Sequence, residues 1–466
     1  MFNVAASITL VLLSIGAATH ALLTKDDSRS ALAWVSFCLL MPLVGPIAYV
    51  LFGINRTRSA AQRLYHSNQP SPPELELQYS YRGHERALIG QRASGRGLSR
   101  YDSLDFLENG EQLFPAMLED IANAKQQVHL CTYLFQHDQV GRQFISSLKA
   151  AQARGVEVRI IIDGLGELAY PPRVAKALRR AGLRIALFDP IRLIPPSLHI
   201  NLRNHRKTLI IDRRIVYTGG HNISARHLVE DPAIKKPARD LHLRLTGAIA
   251  ENFELAFHDD WRRCTGEELA LSDAPPTLPP SQSALGEARL ILDGPDEDLD
   301  KLNDVLLGVF SSAKQKLWLI TPYFLPDSDI IGALTAARLR GVDVRVLLPE
   351  RGNIHLAHWA AQHTVRRLVR DGLPIYLIPA PFIHTKAIII DDDYSLLGSA
   401  NIDPRSLRLN FELGIELFSV ECSAWLEEYF EQLLTQAERV DPLALDKRPK
   451  WMVLRDAISW LFSPFL

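Results

Sequence analysis

Two stretches decide how this chain is read: His205-Arg206-Lys207-Thr208-Leu209-Ile210-Ile211-Asp212, trailed by Gly219-Gly220-His221-Asn222, and His384-Thr385-Lys386-Ala387-Ile388-Ile389-Ile390-Asp391, trailed by Gly398-Ser399-Ala400-Asn401. In both, a Lys stands two residues and an Asp seven residues after the His, and the Asn follows that His by seventeen. One H-x-K-x-x-x-x-D is a rare accident in a single chain, and two with matching G-x-x-N tails are a pattern. The apolar runs between Lys and Asp read as buried strands. Residues i and i+2 of a strand share a face, so His205 with Lys207, and His384 with Lys386, can converge on one anion. Asp212 and Asp391 have the opposite parity and face away unless a bulge intervenes. Two readings of them stand open: ion pairing or turn stabilisation at the start of a hairpin, or a direct part in the chemistry. Gly219 leaves room for close backbone approach, while Asn222, Asn401 and Ser399 are candidate contacts to a phosphate oxygen. One set from each half makes a pseudo-symmetric pocket of imidazoles, ammonium groups and amides, suited to a phosphodiester. A metal is not expected there, because the partner of each His is a cationic Lys and not a ligand; no cofactor is expected either.

Working outward, the halves around these stretches repeat each other. Residues 126–133 (QQVHLCTY) precede a helical pattern and Arg154–Ile162, and residues 316–323 (KLWLITPY) precede another and Arg340–Leu348. Strands alternating with helices imply an α/β protein of two pseudo-symmetric lobes, each a mixed sheet covered by helices. Pro275, Pro276, Pro279 and Pro280 mark a linker between them. The expected division is therefore a hydrophobic hairpin over 1–58, a linker over 59–97, lobes over 98–268 and 286–440 joined by 269–285, and a basic, amphipathic tail over 441–466.

The amino-terminal end is of a different kind. No Lys, Arg, Asp or Glu occurs in Met1–Thr24 or in Ala31–Ile54, two apolar stretches near membrane-spanning length. A cleaved signal peptide would carry positive charge before its apolar run, and Met1–Ser7 has none. Pro42, Gly45 and Pro46 argue against a straight second helix, leaving a kinked span or a re-entrant hairpin. Arg56, Arg58 and Arg63 after the second stretch outweigh Lys25 and Arg29 in the turn, placing the catalytic body and both termini on the cytosolic side. The net charge of -1 gives no whole-chain argument for nucleic acid. Four scattered cysteines suggest neither a zinc site nor a disulfide framework.

With these motifs in place, the chain resembles the phospholipase D superfamily, and within it the bacterial cardiolipin synthases that carry two such motifs. Further residues carry the likeness: Pro42–Arg56, Thr321-Pro322-Tyr323-Phe324, Gly398–Asp403 running into Asn410-Phe411-Glu412-Leu413, and the Trp460–Pro464 ending. The resemblance implies transfer of a phosphatidyl group between two phosphatidylglycerol molecules at a bacterial inner membrane, giving cardiolipin and glycerol through a phosphohistidine. It makes one histidine the nucleophile and the other the acid and base, with Lys207 and Lys386 neutralising charge; His205 is assigned here as the nucleophile and His384 as the acid and base, the reverse order staying open because the two motifs are nearly symmetric. It also implies a carboxylate downstream of each His that orients the imidazole of its own lobe: Glu412 for His384, twenty-eight residues on, and Asp240 for His205, thirty-five on. A hydrolytic phospholipase D is the alternative, and a phosphodiesterase or nuclease of the same fold a further one. The partners expected are phosphatidylglycerol and anionic membrane lipid, and not nucleic acid.

Two features lie outside that site. His221, His227, His242, His355, His358 and His363 read as structural residues. In the tail, Lys447, Arg448 and Lys450 precede Trp451, Leu454, Ile458 and Leu461 at helical spacing, which suits either a helix lying in a membrane interface or one packed on the second lobe.

Overall fold

A computed structural model describes residues 2–25, 27–53, 84–169, 171–190, 202–269, 285–296 and 298–463. These fall into two units, one over Met1–Asn68 and one over Gln69–Leu466.

In the larger unit, short runs rich in Val, Ile and Leu form strands, and amphipathic stretches between them form helices. The first lobe contains β1 (Ser103–Glu108), β2 (Gln127–Thr132), β3 (Glu157–Asp163), β4 (Arg184–Phe188), β5 (Thr208–Ile211), β6 (Ile215–Gly219) and β7 (Leu241–Thr246). The second contains β8 (Gly286–Asp293), β9 (Lys316–Ile320), β10 (Asp343–Pro349), β11 (Ile375–Ile378), β12 (Ala387–Ile390), β13 (Tyr394–Gly398) and β14 (Asn410–Phe418). The sheet orders are β1-β7-β6-β5-β2-β3-β4 and β8-β14-β13-β12-β9-β10-β11, the same arrangement twice. In each, the three strands linked by helices are parallel and the rest antiparallel, so the sheets are mixed. This is the two-lobed α/β architecture that the repeated patterns imply.

Both faces of each sheet are covered, which is why the motif strands are apolar on both parities. Leu209 and Ile211 point to one core with Phe144 and Leu148, while Ile210 points to another with Phe253, Phe257 and Trp261. Ile388 and Ile390 likewise face away from the core that takes Ile389, Phe411 and Phe430. That last core is shared by the two lobes, and its side chains, such as Ile210 and Ile389, are fully buried. A fully buried Ile of this kind contributes about 1.5–3 kcal/mol, so the lobes are held together by the same apolar residues that build each sheet.

The expected linker over 59–97 is corrected in part. Residues 59–83 lie outside the described set, but His84–Ser94 form a helix that packs on Lys301–Ser312 of the second lobe. Arg289 donates to the Ala87 carbonyl (2.7 Å), and Arg86 bonds Asp391, Asp393 and Ser312. Ser99–Tyr101 then adds to the edge of β8 before the chain crosses to β1. Residues 84–101 thus pack with the second lobe, where the buried pair Arg289 and Glu416 sits beneath Gly90. The 269–285 linker lies almost wholly outside the described residues.

The smaller unit begins with the helix Phe2–Thr24, of which Ser7–Thr24 is long and apolar enough to cross a membrane. The second apolar stretch is not one straight helix. It breaks at Met41–Leu43 into Ser28–Leu40 and Val44–Ala48, the latter running into a π-helical turn over Tyr49–Gly53. Gly45 lies so close to Phe37 and Cys38 that a Cβ there would meet the Phe37 carbonyl. The fold-back is pinned by Tyr49, whose hydroxyl lies 2.8 Å from His20 Nδ1 and whose ring packs edge-on to Trp34. Arg56, Arg58 and Arg63 lie outside the described residues.

Candidate active site

Each motif histidine stands one residue beyond a short parallel ladder between the two lobes. Arg203–Asn204 pairs with Asn410–Phe411, and the His205 amide continues it by donating to the Phe411 carbonyl (2.9 Å). Phe382–Ile383 pairs with Ala238–Arg239, and the His384 amide donates to the Arg239 carbonyl (2.8 Å). The next residue on each partner strand is a carboxylate. His205 Nδ1 lies 3.0 Å from Glu412 Oε2, and His384 Nδ1 lies 2.7 Å from Asp240 Oδ2. The expectation that each carboxylate serves the His of its own lobe is corrected: the pairs are crossed. The cause is the inter-lobe ladder, a backbone register that no spacing within one lobe encodes.

Both carboxylates are buried, and each is ionised. Burial would raise Glu412, but His205, Lys207 and the Ser399 hydroxyl outweigh it and bring its pKa down to about 2. Asp240 is held well below the ordinary range, since Lys386 and His384 outweigh its desolvation. The imidazoles follow the opposite logic. Desolvation lowers His205 against the pull of Glu412, and desolvation together with Lys386 lowers His384 to about 3. Neutral imidazoles with Nδ1–H donated to carboxylate leave Nε2 as a lone pair.

The motif His and Lys stand outside the strands, in the short links just before β5 and β12, so it is not strand parity that places the lysines. Lys207 Nζ donates to the His205 carbonyl, and Lys386 Nζ sits within 3.1 Å of both ring nitrogens of His384. Burial, only partly offset by the carboxylates, lowers Lys207 to about 7 and Lys386 to about 8.

Asp212 and Asp391 face away and are corrected as catalytic candidates. Asp212 accepts hydrogen bonds from the amides of Lys125, Gln126 and Gln127 (2.8–3.0 Å). Asp391 accepts from Lys314, Gln315 and Lys316 (2.7–3.1 Å) and from Arg86. Both sit at positive φ at the start of the hairpin turn, capping the strand entry of β2 and β9. Two substrate-contact expectations are corrected as well. Gly219 backs onto β7, where a Cβ would lie 2.6 Å from the Leu241 carbonyl. Ser399 is fully buried and donates to Glu412 Oε2 (2.5 Å). In the first lobe the residue matching Ser399 is Gly220, and a Cβ there would lie 2.3 Å from Asp240.

A cavity of about 420 Å³ brings the remaining residues together from both lobes: His205 and His384, Asn222 and Asn401, Tyr133 and Tyr323, Arg203, Arg226 and Arg405. Asn222 accepts from the Leu134 amide with Oδ1 (3.1 Å), and Asn401 donates Nδ2 to Ser406 Oγ (3.1 Å). Sequence reasoning did not reach Tyr133, whose ring stands edge-on to His205 at 5.1 Å, or Arg226, stacked over Phe382. The repeated positions of Tyr133 and Tyr323 in the two 126–133 and 316–323 segments were the available signal.

A buried histidine cluster surrounds Asp240. His227 donates Nδ1–H to the Ala238 carbonyl (3.2 Å) and accepts the Asn222 amide at Nε2, which fixes it neutral. His221 lies between His227 and His242, ring centroids 4.6 and 5.4 Å away. Desolvation lowers all three, His227 to about 4 and His242 to about 3. Elsewhere, His129, Glu254 and His258 form the one described His/Cys/Asp/Glu group close enough to be considered for a metal. Glu254 Oε1 there already lies 2.7–3.0 Å from His129 Nδ1, His258 Nε2 and Gln127 Nε2, with Arg159 beside His129.

Two lobes, each giving a His and an Asn to one cavity and a buried Lys beside that His, define a phospholipase D-like enzyme. The family model for the cardiolipin synthase, PLD-like domain matches residues 117–261 and 306–434, and that for the phospholipase D-nuclease N-terminal region matches residues 12–53. The chain belongs to this cardiolipin synthase family of the phospholipase D superfamily. It is 31% identical to a cardiolipin synthase of Geobacillus thermodenitrificans (strain NG80-2), over 95% of this chain and 90% of that one. It is 29% identical to the major cardiolipin synthase ClsA of Bacillus subtilis (strain 168), over 95% of each. Among solved structures, the phosphatidylserine synthase of Haemophilus influenzae Rd KW20 shares the fold, with TM-score 0.63 and 16% identity over 82% of this chain and all of that one.

Proposed function

We propose that the protein is a cardiolipin synthase, transferring a phosphatidyl group from one phosphatidylglycerol to the hydroxyl of another and releasing glycerol. The observation that carries this reading is the crossed pair of His-carboxylate dyads, whose histidines line one cavity and are flanked by two buried lysines. His205 is the nucleophile: its Nδ1–H is held by Glu412, and among the described residues its Nε2 has no hydrogen-bond partner. Nε2 attacks phosphorus as the bond to the glycerol oxygen breaks, and that oxygen takes a proton from His384. The phosphodiester's charge raises His384 from its depressed value when substrate is bound, so that it can hold this proton. The hydroxyl of a second phosphatidylglycerol then gives its proton to His384 and attacks the phosphohistidine, which frees His205. Lys207 and Lys386 neutralise the phosphoryl oxygens throughout. With lysines in that role, chelation by EDTA leaves turnover intact; complete loss, restored by one divalent ion, would require a metal route.

The site of action on this reading is a bacterial cell membrane, with the catalytic lobes on its cytosolic side. The apolar Ser7–Thr24 helix and the arginines at 56, 58 and 63 support it. Phosphatidylglycerol vesicles incubated with the full chain, followed by thin-layer separation and assay of free glycerol, test the reaction. Cardiolipin and glycerol in equal amounts are expected. Phosphatidate without cardiolipin makes the protein a hydrolase.

A further inference from the structure

The carboxy-terminal helix Lys450–Trp460 is packed with its polar face inward. Asp456 and Ser459 are its buried residues, and Asp456 is clamped between Arg448 and Arg455 at 2.7 Å each. The opposite face carries Trp451, Leu454 and Ile458, and the turn that ends the helix adds Leu461 and Phe462, each at least half exposed. A surface helix ordinarily buries its apolar stripe, so this one is inverted. The sequence spacing alone left open an interfacial helix or a packed one. This helix is packed, against His355–Arg370, yet its apolar stripe stays outside.

The helix His355–Arg370, on which the tail helix packs, borders the catalytic cavity. Ile354 and Ala357 line the cavity, while Ile354 and Leu356 are also exposed. One turn further along the same helix Trp359 packs on His355 and carries the Arg455 guanidinium over its face at 4.5 Å. Exposed Lys447 and Lys450 stand at the start of the tail helix. Apolar side chains with an aromatic ring and a cationic start match the chemistry of an anionic lipid surface. A cavity that takes a diacyl substrate must also open where acyl chains can stay in the bilayer.

We propose that Ile354, Leu356 and the outward face of the Lys450–Trp460 helix form a docking surface that seats the cavity mouth on an anionic bilayer. The inference rests on the phospholipid reading of the site. Its first test reads depth and not turnover, so that either can fail alone. In the full chain, with Cys264→Ser to remove the one cysteine that is not buried, an environment-sensitive fluorophore is placed at Leu454→Cys and, as a control, at Leu339→Cys, an exposed position on another helix. In vesicles of brominated phosphatidylglycerol the label at 454 is expected to lose about half its fluorescence, as apolar faces of interfacial helices insert below the headgroups. The label at 339 is expected to lose none. An unquenched label at 454 overturns the proposal. So does a label shielded without lipid as protein concentration rises, which would assign the face to a second copy of the chain.

A functional arm uses Leu454→Glu with Ile458→Glu. Two charges on an inserting face should raise the phosphatidylglycerol vesicle concentration for half-maximal turnover about tenfold, with turnover on detergent-dispersed lipid nearly unchanged. Equal loss in both assays overturns the docking role.

Discussion

The two lobes share a strand order, a motif and a dyad, but not the surroundings of the carboxylate. Glu412 is held by hydroxyl and amide: Ser399 donates to it at 2.5 Å and Asn410 at 3.0 Å. Asp240 sits instead over Gly220, and His221, His227 and His242 enclose it. By position after the motif, the counterparts of His221 and His227 are Ala400 and Ser406. By strand register, the counterpart of His242 is Gly414, since these two face Gly219 and Gly398. The difference shows how a duplicated site divides its labour. The reacting groups are kept in both copies, while the shells that hold their protons have diverged. The shorter Asp240 side chain, with the room Gly220 leaves, is compatible with bulky rings around it; the longer Glu412 is steadied by small donors.

The largest effect expected is on the crossed dyads. Asp240→Asn and Glu412→Gln should each lower kcat by about a thousandfold or more, because a neutral amide no longer fixes the tautomer of its imidazole. Imidazole nitrogen resonances sharpen the comparison. Glu412→Gln should move those of His205 and leave those of His384, and Asp240→Asn should do the reverse. Shifts confined to the His of the same lobe would break the crossed arrangement.

The histidine shell comes next. Exchanging His221→Ala, His227→Ser and His242→Gly gives the first lobe the residues of the second. This is expected to lower kcat about tenfold through a looser Asp240, a carboxylate acting through its hold on another group. An unchanged kcat would show that the shells are interchangeable.

Stability against pH follows from the same rings. His227, His242 and His384 have folded pKa values below the unfolded 6.5, so the unfolded chain binds more protons as pH falls from about 6.5 to about 4 for His227 and to about 3 for His242 and His384. Stability is therefore present above about pH 6.5 and declines on acidification, by about 1.4 kcal/mol per pH unit for each such histidine. Chemical denaturation at several pH values should show a shallower acid decline in the exchanged variant than in the parent.

The smallest effect on turnover is expected where the lobes are most alike. Asp212→Ala and Asp391→Ala each remove the acceptor for three backbone amides. Either should cost about 1–3 kcal/mol of stability, while the folded protein keeps turnover within about twofold, the range of a surface change outside the chemistry. A loss as large as that of a dyad variant would return these residues to the site.

Much of this was legible in the chain. The repeat and the alternation of strands and helices follow from local periodicity, and the His-Lys pairing from the spacing that the two motifs share. The break of the second apolar stretch was written in Pro42, Gly45 and Pro46, and the outward aim of Asp212 and Asp391 in their odd offset from the histidines. The crossing of Glu412 and Asp240 was not legible, because it depends on hydrogen bonds between Arg203–Asn204 and Asn410–Phe411, some two hundred residues apart. Nor was the cluster at His221, His227 and His242, whose members come from different segments, or the attachment of residues 84–101 to the second lobe. The tail helix shows the division most simply: its sequence determined that one stripe is apolar, and only packing against His355–Arg370 decided that this stripe faces outward, since an Asp456 held by two arginines satisfies the buried side.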